Sequence, residues 1–149
     1  MAPRPARAAK AALLALLALL ALASAAPNAQ AASVCAEDRA VESVAISQTS
    51  LDGNAQLVAL VAGQVIYVCG WDFLASAAAS VRFVYGTGTA CATGETGLTG
   101  AYPVAANNGV VRANAGAVQA KTTAGQALCI ETSTSINVHG LLTYVQRAP

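Results

Sequence analysis

Histidine, lysine and charge are scarce in this chain, and each scarcity excludes something. Among 149 residues there is one histidine, His139, and 10% of the residues are charged. No two of the four cysteines lie close together and His139 stands at no zinc-type spacing from them, so a zinc centre has nothing to build on. The acids show no calcium-loop spacing. No segment sustains a helical period, which leaves short strands as the expected elements. Beyond residue 31 only one lysine, Lys121, is present. With the excess of alanine, this reads as the coding bias of a GC-rich bacterial genome.

What is present begins with an address. Arg4, Arg7 and Lys10 form a basic head, Ala11 to Ala23 is an unbroken run of Ala and Leu, and Pro27 ends it. Ala29-Gln30-Ala31 supplies the small residues a signal peptidase reads, so residues 1–31 are expected to be a cleaved signal peptide, with Ala25 the alternative site. The run is short for a membrane span. Val34 before Cys35 argues against a lipidated cysteine. The remaining residues, 32–149, are expected to form a single domain that is secreted or periplasmic, with no membrane association after cleavage. It carries five basic against seven acidic residues, a net charge of −2. That balance excludes nucleic-acid binding through a basic stripe.

Cys35, Cys69, Cys91 and Cys129 all follow the signal, and an even count in an exported chain predicts two disulfides. Sequential pairing (Cys35–Cys69, Cys91–Cys129) closes loops worth roughly 3–4 kcal/mol each. The nested alternative, Cys35–Cys129 with Cys69–Cys91, gives nearly the same sum. Sequential pairing is preferred because each bridge then pins a flexible segment onto a strand.

The large apolar side chains concentrate between Gly63 and Tyr85. Alternation places Val65, Tyr67, Cys69, Trp71 and Phe73 on one strand face and Ile66, Val68, Asp72 and Leu74 on the other, a strand covered on both sides. Val81, Phe83 and Tyr85 alternate as a half-buried partner strand. Val41 to Ser47 and Gln56 to Ala62 read as two strands around a turn at Ser50 to Asn54. Gly86 to Gly94 reads as a loop, and Leu98 to Ala105, broken by Pro103, as an edge strand or bulge. Asn107-Asn108-Gly109 predicts a tight turn into Val110 to Ala113. Ala117 to Thr122 and Ala127 to Glu131 flank a turn at Gly125, and Ile136 to Val145 is the last strand, with Ile136, Val138, Gly140, Leu142 and Tyr144 on one face. The fold expected is all-β, a small jelly-roll-like β-sandwich.

No residue set announces a chemistry. A Ser-His-Asp triad would have to use His139, yet no serine sits in a nucleophile elbow. Gly86-Thr87-Gly88-Thr89 has the glycines of a phosphate loop but neither the helix nor the lysine. Glu95 and Glu131 approach each other if Cys91 and Cys129 are bonded, the minimum for a glycosidase pair. Trp71, Tyr67, Tyr85 and Tyr102 could stack on sugar, but core packing explains Trp71 and Tyr67, leaving Tyr102 as the exposed aromatic. Asp72 is expected to pair with Arg82 on the neighbouring strand.

The segments Val65-Ile66-Tyr67-Val68-Cys69-Gly70, Gly86-Thr87-Gly88-Thr89-Ala90-Cys91-Ala92-Thr93-Gly94, Leu98-Thr99-Gly100-Ala101-Tyr102 and Gly125-Gln126-Ala127-Leu128-Cys129 resemble a family of small bacterial and phage-encoded β-sandwich proteins of unassigned activity. Ala105 to Gly109 and Gly140 to Tyr144 fit the same pattern. The motifs are structural and bring no catalytic residue. Cys-poor phage members resemble virion decoration or tail-associated domains, which implies a structural or binding role. An export signal departs from the phage type and argues against assembly on a virion.

The expectation is therefore an exported, non-enzymatic structural or interaction module without catalytic residues, metal or cofactor. Tyr102, Glu95 and His139 are its candidate binding surface, and a macromolecule or glycan is its partner. A homo-oligomer is compatible with it. A carbohydrate-binding module is the alternative and an exported hydrolase the third reading.

Overall fold

A computed structural model describes residues 34–36, 41–113 and 116–149. The expected signal peptide, 1–31, lies outside the described residues. After a helical turn at 34–36, the elements are β1 (Glu42–Val58), β2 (Val65–Ala75), β3 (Ala79–Thr87), a 3-10 turn (Thr89–Cys91), β4 (Thr93–Gly97), β5 (Tyr102–Val104), β6 (Asn108–Ala113), β7 (Ala120–Lys121) and β8 (Ala127–Arg147). The class is all-β with two disulfides, as expected.

β8 organises the chain. Along one edge it pairs with β1 from Tyr144 back to Leu128. Along the other edge its C-terminal half pairs with β2 and its N-terminal half with β3. Every pairing is antiparallel. β6 and β7 add to the free side of β2, and β4 and β5 to the free side of β3.

The two layers expected of a sandwich thus come from one sheet curled on itself. Trp71 on β2 faces Leu142 and Phe83 on β3 faces Ile130, twelve positions apart along β8. A straight strand would separate them by roughly 40 Å. Their rings lie 5.2 Å apart, edge to face. β8 therefore turns between Thr132 and Val138, where neither β2 nor β3 pairs with it. β1 turns alongside, with register shifts between Gln48 and Gly53 and positive φ at Ser50 (51°) and Gly53 (85°). Strands that pass from one layer to the other through such bends are the usual corners of packed sheets. The residues expected to be a turn at Ser50 to Asn54 are this corner, and the strand ending it runs on only to Val58.

Inside the curl, Trp71, Phe73 and Phe83 form the centre of the core with Leu128, Ile130, Val138 and Leu142. Ile136, Val138, Leu142 and Tyr144 share the inner face of β8 as the alternation required. Gly140 on that face lies opposite Phe73, and a Cβ there would collide with the Asp72 carbonyl oxygen. Gly109 meets the same obstacle at the Phe73 carbonyl from the other side of β2.

One expected face assignment is corrected. The β2–β8 register shifts between Val68 and Gly70, so Cys69 is an extra residue and reverses the alternation. Ile66 and Val68 face the main core before the bulge, and Trp71, Phe73 and Ala75 face it afterwards. Val65 and Tyr67 instead join Val34 and Val145 in a second cluster on the outer face, with Cys69 packed against it. Leu74 and Asp72, expected to be covered, are exposed.

The sequential disulfides are the ones formed. Cys35–Cys69 ties the N-terminal turn over the outer face, where Val34 is buried. Cys91–Cys129 ties the 3-10 turn to β8 and packs with Val84 and Ala127. The segment expected to be a loop there, Gly86 to Gly94, runs at Thr93 into β4, which pairs with β3. Pro103 sits on the short edge strand β5, where a missing donor costs no ladder bond.

Candidate interaction surface

The outer sides of the two halves are treated differently. On the β3 side, the 3-10 turn and β4 fold over the sheet, and a polar group holds them there. Arg82 Nε bonds to Glu131 Oε2, and its Nη2 lies 3.1 Å from Glu95 Oε1. Glu95 also accepts a 2.5 Å bond from Asn54 Nδ2 on β1. The hydrogen bond to Glu131, more than its charge, pushes the Arg82 pKa up. Glu95 and Glu131 do come together, but each spends its charge on a permanent cation.

This arrangement also corrects the expected Asp72–Arg82 pair. Asp72 is on the other half of the curl and exposed. Its Oδ1 accepts a 2.7 Å bond from the Leu141 amide across the β2–β8 ladder.

On the β2 side, the outer face is covered only in part. Val34 and Val118 cover Val65, Tyr67 and Val145. Beyond them, among the described residues, the sheet β6-β2-β8-β1 is bare. Its register sets out two rows: Val111, Asp72, Leu141 and Ala45 in one, Gly109, Leu74, His139 and Ser47 in the next. Val111 is 76% exposed, Leu74 52% and Leu141 44%. Scattered single hydrophobic residues are normal on a surface; here three large ones stand in adjacent rows around Asp72. Beside them lies a cleft of about 270 Å³, lined by Gly70, Asp72, Val111, Arg112, Leu141 and Thr143 together with Trp71. Gly70 adds no side chain to it, and the Thr143 hydroxyl donates a 3.2 Å bond to the Gly70 carbonyl. No family model matches the chain, and no curated protein matches it.

The three expected surface residues lie in three places. His139 is exposed on the bare face, between Leu74 and Ser47. Glu95 belongs to the polar group over the opposite half. Tyr102 is half-buried, 6.4 Å from the Trp71 ring and 6.3 Å from Phe73, so it closes the aromatic core instead of standing free. Leu74, Val111 and Leu141 were not legible as a patch. The signal that could have found it is Gly70 directly after Cys69, since a glycine inside a strand pattern marks a bulge.

Proposed function

We propose that this chain is an exported, non-enzymatic interaction module whose bare β6-β2-β8-β1 face seats on an apolar protein surface. The observation that carries the reading is the group of exposed Leu74, Val111 and Leu141 on the part of the outer face that Val34 and Val118 leave uncovered. The face sets these apolar side chains beside Asp72, His139 and Ser47, a mixture that suits packing against another folded surface. Export agrees with the disulfides, which persist in oxidising compartments. Among the described residues no helix is long and apolar enough to cross a membrane.

The glycan alternative calls for an exposed aromatic platform, and none of the seven aromatic side chains is fully exposed. The hydrolase reading needs a carboxylate to orient His139. Asp72, one row away, is bonded instead to the Leu141 amide. The kinship to phage structural domains is part of the same proposal and agrees with a role in contact, not in turnover.

A photo-crosslinker at Val111, introduced in the producing cell, tests the reading. One defined protein is expected to be captured there, and lost when Leu141→Asp is added. A crosslinker at exposed Thr134 is expected to capture none. Capture of the same protein at both positions, or glycan capture at Val111, would overturn it.

A further inference from the structure

Among the described residues, β1 is the outer strand of the curl on both halves and pairs with β8 alone. From Glu42 to Gln48 its register with β8 runs without a shift, which gives seven residues, roughly 24 Å, of straight edge. Proteins normally blunt such an edge with lysine, proline, a bulge or brevity. The other edges here follow that rule: β4 and β5 are short, β5 contains Pro103, and β6 has six residues including Arg112. The stretch Glu-Ser-Val-Ala-Ile-Ser-Gln has no lysine or proline, and the bulges begin only after Gln48. Among the described residues, none bonds to the backbone groups on its outward edge.

We propose that this edge pairs, antiparallel, with the same edge of a second copy of the chain, about a two-fold axis at Ala45. In that register Val44 meets the partner's Ile46, Ser43 the partner's Ser47, Glu42 the partner's Gln48, and Ala45 the partner's Ala45. Apolar residues face apolar ones and hydroxyls face hydroxyls, with no like charges opposed. Odd positions meet odd and even meet even, so the outward-pointing amides of each strand face those of the other. Centring on Val44 instead would set Glu42 against Ile46. The contact is isologous and closes at two copies. The two-fold axis is perpendicular to the sheet, so both bare faces end on the same side of one eight-stranded sheet. The pairing is independent of what that face binds.

Sedimentation of the purified, oxidised protein across a concentration series tests this, with two variants. The wild type is expected to dimerise reversibly. Ala45 is exposed on the outer face, so Ala45→Lys is expected to fold with an unchanged melting profile. Opposing two lysines at the axis, it should weaken dimerisation about tenfold or more, equivalent to ~1.4 kcal/mol. Ala45→Cys is expected to oxidise to a disulfide-linked dimer, since paired strands bring opposite Cα atoms within disulfide range. A wild type that stays monomeric at its highest soluble concentration would overturn the proposal. So would a dimer that Ala45→Lys leaves intact while Ala45→Cys stays unlinked, or one abolished by Val111→Asp and not by Ala45→Lys.

Discussion

Trp71 is the chain's one tryptophan and part of its core, and it shows how a residue's fate can be legible while its neighbours' is not. Its size and its place among Tyr67, Phe73 and Phe83 pointed to burial, and it is buried against Phe83 and Tyr102. Trp71→Ala is therefore expected to cost ~3–5 kcal/mol, measured by denaturant or thermal unfolding. The indole Nε1 has no hydrogen-bond partner among the described residues. Trp71→Phe removes that buried donor and should cost much less than alanine. Tyr144 gives a pH test. Burial, then its 2.6 Å hydrogen bond to Glu42 and that carboxylate's charge, push its pKa up to about 12. The folded state then keeps a proton that the unfolded chain releases near 10. Stability from this group is complete below pH 10 and is lost as pH rises towards 12. Tyr144→Phe is expected to reduce that alkaline loss in melts across the range. Partners such as Arg82 with Glu131 and Glu95 were not legible, because pairing depends on where the curl brings strands together.

Alternation identified the inner face of β8 correctly and the faces of β2 only up to Cys69. A single inserted residue exchanges the two faces, and nothing in the hydrophobic pattern alone dates that exchange. The bend in β1 was read as a turn, and β8 as two separate strands, for a related reason. Ser50 to Asn54 has turn chemistry, and only the pairing on both sides reveals a strand continuing through it. Gly140 is the element-scale counterpart of Trp71: the sequence placed it on the inner face of a strand, and the structure makes it a point of close approach. Its Cβ direction is occupied by the backbone of β2 at Asp72 and Phe73. Gly140→Ala is expected to destabilise by about 1–3 kcal/mol or more through overpacking, read from the urea midpoint. An unchanged midpoint would mean that the two strands separate there at little cost.

At the scale of the molecule, the all-β class and both disulfides were legible, because turn residues, short apolar runs and an even cysteine count are local signals. The curl and the bare face were not, since both depend on which distant strands share β8. The proposed function rests on that face: one side of the curl carries the group of Arg82, Glu95 and Glu131, the other leaves Leu74, Val111 and Leu141 exposed. The decisive measurement compares how much partner complex three proteins form in the producing cell. These are the wild type, Val111→Asp/Leu141→Asp, and Thr134→Asp as an exposed control, each checked for an unchanged melting profile. The account expects the double variant to stay folded and lose the complex while Thr134→Asp keeps it. A double variant that retains the complex in full would contradict it.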